Sequence, residues 1–344
     1  MSSPIQTGLL AYGMSGRIFH APFLSTYPGF ALRAVVERSR KQAQAQYPRL
    51  ISHDSVAELL ADPQLDLVVV NTPNDTHFAL ARQALQAGKH VLIEKPVATT
   101  VAELDELLAL AAAQNLHVLA YQNRRWDSDF QLVRQVVESG QLGQLTEVHF
   151  RFDRYKAALN AKTFKEDPSV AGSGLSFDLG PHVLDQALSL FGRPEQAHVT
   201  RASHRPGSRV DDYFHVHLQY PQGLNVFVAG SLLTAASGPA YVLHGTLGSF
   251  QKSRADVQEA QLDQGQLPTA ATYGHEPAGQ EGTLTLVPAP GETQLSRLPA
   301  PQGQYQGLFE AVYQTIRHGQ PFPVRAEQLR WQLEILQLPA HKQF

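Results

Sequence analysis

Short apolar runs alternate with helical patterns through the first third of the chain. Gly8-Leu9-Leu10-Ala11-Tyr12, Leu32-Arg33-Ala34-Val35-Val36, Leu67-Val68-Val69-Val70, His90-Val91-Leu92-Ile93 and His117-Val118-Leu119-Ala120 read as five strands. Continuous apolar strands are those buried on both faces. Between them, Phe78 to Ala87 has helical period and stops at Gly88, a C-terminal cap glycine. Val101 to Gln114 puts apolar residues at 101, 104, 107, 108 and 111 on one helix face. Thr100 and Glu103 form a capping box at its start. This alternation predicts an α/β unit with a parallel sheet covered on both faces.

The pattern changes near residue 122. A helix is expected from Asp127 to Ser139, stopped by Gly140, and another from Leu179 to Phe191, stopped by Gly192. Thr146 to Phe152 alternates with period two, and strands are also expected at Asp212 to Tyr220, Asn225 to Ala229 and Tyr241 to His244. Such alternation belongs to a sheet with one open face and helices on the other. The stretch 252–304, rich in Gly, Pro, Gln and Ala, reads as loops with short strands. Amphipathic helices follow at Tyr305 to His318 and Ala326 to Leu336. The expected division is 1–122 and 123–344, with the last helix packing back on the first domain.

Composition narrows the classes. The 344 residues are 43% hydrophobic and 17% charged, enough for packed cores and too apolar for global disorder. A net charge of −3 and scattered basic residues argue against nucleic-acid binding. No apolar run approaches a membrane span, and no signal peptide is visible, so a cytoplasmic location is expected. Cysteine is absent, which removes disulfides, thiolate metal ligands and a cysteine nucleophile. Fifteen histidines invite a metal reading, but only His215 and His217 share a strand face, and no third ligand has a persuasive spacing. No metal site is expected.

The candidate chemistry begins after the first strand. Tyr12-Gly13-Met14-Ser15-Gly16-Arg17, preceded by Ala11, is a dinucleotide fingerprint with Ala at its first glycine. Gly13 lets backbone approach a pyrophosphate, and Gly16 lets the next helix pack on the strand. Glu37, at the end of the second strand, stands where a carboxylate meets ribose hydroxyls and favours NAD. Arg38, Ser39 and Arg40 follow and suit a 2′-phosphate, which favours NADP; the balance leans slightly to NAD. Asn71-Thr72-Pro73-Asn74 lies at the carboxyl edge of the sheet, where ligands of open α/β sheets bind. Glu94-Lys95-Pro96 ends the next strand, and the Lys95 cation suits a developing alkoxide. Asp178 and His182 are four apart and share a face if that segment is helical. A histidine there suits proton transfer with an alcohol.

Together these segments resemble the Gfo/Idh/MocA oxidoreductases. The resemblance rests on Gly13 to Arg17 with Phe19-His20-Ala21-Pro22, Asn71-Thr72-Pro73, Ala87-Gly88-Lys89-His90-Val91 and Glu94-Lys95-Pro96. It continues in Asn123-Arg124-Arg125-Trp126-Asp127, Asp153-Arg154-Tyr155, and Asp178-Leu179-Gly180 with His182 and Asp185. It is similar in particular to the scyllo-inositol dehydrogenase branch. The resemblance implies an N-terminal Rossmann domain holding NAD or NADP and a C-terminal α+β domain with a large, mostly antiparallel sheet. It implies oxidation of a sugar or cyclic polyol, and a homodimer or homotetramer formed through that sheet. Lys95, Asp178 and His182 fall on the family's catalytic positions. Tyr12 to Arg17, Glu37, Arg38, Asn71 to Asn74, His77, Glu94, Lys95 and Asn123 are the expected cofactor contacts. Arg125, Trp126, Tyr155 and Lys165 are the expected substrate contacts. Pro181 and the Phe164-Lys165 pair depart from the family pattern. A dinucleotide-sensing regulator and an NAD-dependent glycosidase are the alternative readings on the same scaffold.

Overall fold

Leu67 to Val70 are all fully buried, as befits a strand with neighbours on both edges and layers on both faces. In the computed structural model, which describes residues 3–160 and 165–340, they form the centre of a six-stranded parallel sheet. Its strands are β1 (Ile5–Leu9), β2 (Phe30–Val36), β3 (Ile51–His53), β4 (Leu67–Val70), β5 (His90–Glu94) and β6 (Val118–Tyr121). The order β3-β2-β1-β4-β5-β6 reverses direction between β1 and β4, the switch point at which such sheets bind ligands. The first strand ends at Leu9 rather than Tyr12, because residues 10–15 leave the sheet to form the fingerprint loop. The capping box at Thr100 is present, with both reciprocal bonds made. The short strand β3 was not expected; three residues with one exposed apolar position carry too little pattern.

The second sheet has eight strands in the order β14-β13-β12-β11-β7-β10-β9-β8. They are β7 (Leu145–Asp153), β8 (Gln196–Ala202), β9 (Tyr213–Gln219), β10 (Asn225–Ser231), β11 (Tyr241–Gly245), β12 (Gly248–Lys252), β13 (Gly282–Leu286) and β14 (Gln294–Leu298). Every pairing is antiparallel except β7 with β10. Val148, Phe150, Phe214, Val216, Leu218, Val226 and Val228 turn to one face, where the helices Ser128–Ser139 and Gly180–Phe191 close a single core. The expected strands of this half are present, β13 and β14 being the short strands expected within 252–304; β8 and β12 add to them.

The chain divides into two compact units whose segments interleave. The first comprises the residues up to Asn123 with Gln258–Tyr273 and Gln304–Ala326; the second comprises Arg124–Val257, Gly274–Gly303 and the chain from Glu327 onward. A single boundary after residue 122 is therefore corrected. The helix that joins the first unit is Gln306–His318, and the last helix, Ala326–Gln337, lies almost wholly in the second. The helix Gln258–Asp263, inside the stretch expected to be loop, also belongs to the first unit, where Gln258 Oε1 accepts from the Tyr305 amide at 2.7 Å. Aromatic packing explains the return: Phe309 stacks on Phe23 with ring centres 4.9 Å apart and lies 5.9 Å from Tyr121.

Candidate functional site

In the first unit the fingerprint loop leads into a π-helical turn, Gly16–His20, and then the helix Ala21–Thr26. A Cβ on Gly16 would lie 2.3 Å from the Ala11 carbonyl oxygen, so glycine is required there by the protein's own packing. A Cβ on Gly13 would meet nothing within 4 Å. The chain's own packing makes no demand for glycine at 13, which leaves this stretch of backbone open to approach. Arg17 donates its amide to the Gly13 carbonyl, and Met14 is half exposed at the loop's tip.

Two side chains predicted to touch the cofactor instead brace this loop. Asn71 accepts from the Ala11 amide at 3.0 Å and donates to the Ala11 carbonyl at 2.8 Å, using both ends of its carboxamide. Glu94 Oε1 accepts from Ser15 Oγ at 2.6 Å and bonds His20 Nε2 at 2.9 Å. Burial alone would raise the Glu94 carboxyl, but these bonds and the charges of His20 and Lys95 outweigh it and hold the group below its usual range. Lys95 follows directly and is half-buried, with a cis peptide to Pro96. His77, fully buried, joins the Thr72 carbonyl (2.9 Å) to the Pro96 carbonyl (2.7 Å), tying two loops at the sheet's carboxyl edge. Burial lowers its pKa despite those two carbonyls. Thr72 shares a hydroxyl bond with Thr76, Pro73 precedes the short 3-10 turn begun by Asn74, and Asn123 is buried at the end of the unit.

Glu37 corrects a prediction. Its carboxylate accepts from the amides of Gln42 (2.7 Å) and Ala43 (3.1 Å) and from Ser52 Oγ (2.8 Å), and the residue is only 6% exposed. It holds the amides at the start of the short helix Ala43–Gln46, so its carboxylate is engaged within the protein. Arg38, Ser39 and Arg40 are exposed beside it. Tyr12 donates to Gln46 Oε1 at 3.1 Å; burial, then Tyr47 and Glu37, push its hydroxyl up to about 12, so it stays a neutral phenol.

In the second unit, Asp178 ends the helix Leu175–Asp178 and His182 lies in the first turn of Gly180–Phe191, with Pro181 before it. The break at Leu179 means that the two do not lie on one continuous helix. His182 is buried, its ring centre 6.2 Å from that of Phe152. Asp178 Oδ1 pairs with Lys165 Nζ at 3.0 Å, each side chain about one-third exposed. Phe164 lies outside the described residues. Tyr155 is 65% exposed and Trp126 is half-buried. Arg125 is a second correction. It makes a two-pronged pair with Asp185, both bonds 2.7 Å, and donates to Gln328 at 2.9 Å while 5% exposed, so it is a core ion pair rather than a substrate contact. Sequence reading missed what surrounds His182. The Phe152 ring is approached by the guanidinium carbons of Arg254 (4.1 Å), Arg154 (5.0 Å) and Arg124 (5.2 Å). No spacing rule would have brought residues 124, 154 and 254 to one ring.

Among the described residues no three His, Asp or Glu side chains gather as a metal site, and no helix is long and apolar enough to cross a membrane. His215 and His217 pack around Phe227 instead.

Comparison with known proteins agrees with both units. Residues 5–122 match the oxidoreductase family with an NAD-binding Rossmann fold, and residues 130–251 match the GFO/IDH/MocA C-terminal domain. The chain is 36% identical to the uncharacterized oxidoreductase YdgJ of Escherichia coli, covering 98% of this chain and 96% of that protein. It is 30% identical to scyllo-inositol 2-dehydrogenase (NADP(+)) IolW of Bacillus subtilis, covering 94% and 89%. An oxidoreductase structure from Bacillus cereus superimposes with a TM-score of 0.89 at 32% identity, covering 96% and 94%.

Proposed function

The chain belongs to the Gfo/Idh/MocA oxidoreductases, and from that premise we propose that it is an NADP(H)-dependent dehydrogenase acting on a secondary alcohol of a sugar or cyclic polyol. The observation that carries the reading is Lys95 at the carboxyl edge of the parallel sheet, next to the Glu94 that fastens the fingerprint loop. A relative of similar length is named as an NADP-dependent scyllo-inositol dehydrogenase, which supports the polyol class. The engaged Glu37 and the exposed Arg38-Ser39-Arg40 segment favour a 2′-phosphate over a free 2′-hydroxyl.

The bare backbone at Gly13 and the guanidinium of Arg38 would hold the dinucleotide. A bound nicotinamide would supply the acceptor for the hydride leaving the carbinol carbon. His182 takes the hydroxyl proton as general base. The Lys95 ammonium stabilises the developing alkoxide. Asp178, neutralised by Lys165, accepts a hydrogen bond from a neighbouring hydroxyl, and Trp126 and Tyr155 offer apolar faces to the ring.

The test is reduction of NADP and NAD by a panel of inositols, pentoses and hexoses, followed by nicotinamide absorbance. Turnover with a polyol and NADP is expected. Lys95→Ala and His182→Ala each lower kcat by about 10²–10⁴ with cofactor binding retained. Near-normal turnover in both variants refutes the assignment.

A further inference from the structure

Two adjacent carboxylates at the entry to β9 hold two different pieces of the substrate side. Asp211 accepts from the Ser176 amide at 2.6 Å and from Ser176 Oγ at 3.1 Å, in the short helix that ends at Asp178. Gly174, which opens that helix with φ of +85°, passes so close that a Cβ would lie 2.4 Å from Asp211 Oδ1. Asp212, fully buried, accepts from the amides of His204 (2.9 Å) and Arg205 (2.7 Å) and from Arg205 Nε (3.2 Å).

The Arg205 guanidinium then reaches outward. It is 1% exposed at the side chain and bonds both oxygens of Glu166, at 2.9 and 3.2 Å, and the Ala158 carbonyl at 3.2 Å. Glu166 in turn accepts from the Asn160 amide (2.9 Å) and from Asn160 Nδ2 (2.7 Å). Glu166 is the neighbour of Lys165, the partner of Asp178. Both halves of the Lys165–Asp178 pair are therefore fixed from one root, Asp211-Asp212. A planar guanidinium is the group suited to this task, because its three nitrogens point at three different acceptors: Nη2 at both oxygens of Glu166, Nη1 at the Ala158 carbonyl and Nε at Asp212.

We propose that Arg205 is a positioning residue for substrate recognition, setting the register of Lys165 against Asp178 through Glu166. The proposal rests on the dehydrogenase reading for its kinetic consequence but not for its structural one. The test uses the full chain in wild type, Arg205→Met and Glu166→Gln. The second variant keeps an acceptor for Asn160, and so answers the question if the first fails to fold.

The first readout is the acetylation rate of Lys165 by an N-hydroxysuccinimide ester, measured by mass spectrometry against Lys156 as internal reference. Loss of one charge-assisted bond of about 1.4 kcal/mol corresponds to roughly a tenfold rise in the population of Lys165 not held against Asp178. A severalfold faster Lys165 reaction in either folded variant is expected. An unchanged rate in folded variants overturns the proposal. The second readout is kinetic: about a tenfold higher KM for the polyol is expected, with the KM for NADP within about twofold of wild type. Faster acetylation with an unchanged polyol KM also overturns it. If wild type turns over no panel member, the dehydrogenase reading fails, and the acetylation rates alone decide the clamp.

Discussion

Gly13 and Gly16 are three residues apart and answer to different neighbours. Alanine at 16 drives a methyl onto the Ala11 carbonyl, whereas alanine at 13 meets only open space. Gly13→Ala is therefore expected to keep the wild-type Tm and weaken cofactor binding by about tenfold or more, as titration of protein fluorescence with NADP will show. Gly16→Ala is expected to lose stability as well, by about 1–3 kcal/mol in urea unfolding. Equal effects of both on Tm would remove the argument for a ligand at Gly13. The carboxylate of Glu37 belongs to the same scale. Its three bonds make Glu37→Ala a stability variant costing about 2–4 kcal/mol, while Arg38→Ala raises the KM for NADP and leaves that for NAD unaltered. The reverse pattern would restore the ribose role. The position of Glu37 at a strand end was legible in the sequence, but the fate of its carboxylate was not. That fate depends on Ser52 and on the amides of Gln42 and Ala43, partners that enter only through the fold. Arg125 was misread for the same reason, since its partner Asp185 lies 60 residues away.

Strands and helices were more legible than side chains. Runs such as Leu67 to Val70 and the Thr100 capping box are local signals, and the structure reproduces them. Strand β8 was not anticipated, because its exposed and half-buried positions leave no clean alternation, whereas β13 and β14 are the short strands expected within 252–304. One consequence at this scale is pH-dependent. His90 opens β5, and its Nδ1 accepts from the His117 amide at 3.1 Å, with the two rings stacked 5.1 Å apart. Burial first, then the neighbouring His117, lowers the His90 pKa to about 4. The unfolded chain, with an ordinary histidine near 6.5, binds this proton more readily than the fold does. Stability from the neutral ring is thus complete above about pH 6.5 and is lost as pH falls toward 4. Glu94 adds an acid loss of its own, since its depressed carboxyl contributes above its unfolded value and ceases to contribute as pH falls through the folded one. Urea unfolding between pH 7 and pH 4 is expected to show a slope that His90→Gln makes shallower. An unaltered slope would place the acid sensitivity elsewhere.

The whole molecule is governed by the order in which its pieces occur. The first unit takes a helix from near the end of the chain, and Phe309 of that helix closes an aromatic cluster with Phe23, Phe30 and Tyr121. Phe309→Ala is expected to cost about 3–5 kcal/mol and to weaken NADP binding, because the same cluster touches His20 and, through it, Glu94. A fragment ending at residue 123 is expected to lack a cooperative thermal transition; a sharp one in calorimetry would contradict this dependence. A late helix packing back was expected, but of the last helix rather than of Gln306–His318, since a helix amphipathic enough to cover one sheet covers another equally well. This return also sets a schedule for synthesis. At about 5–20 residues per second, the ribosome makes the last residue of β6 and then takes roughly 10–40 s to release the helix that covers Phe23 and Tyr121. Through that interval the nascent chain presents a bare aromatic surface, so the nucleotide-binding half, although first to be made, waits for the end of translation to be finished.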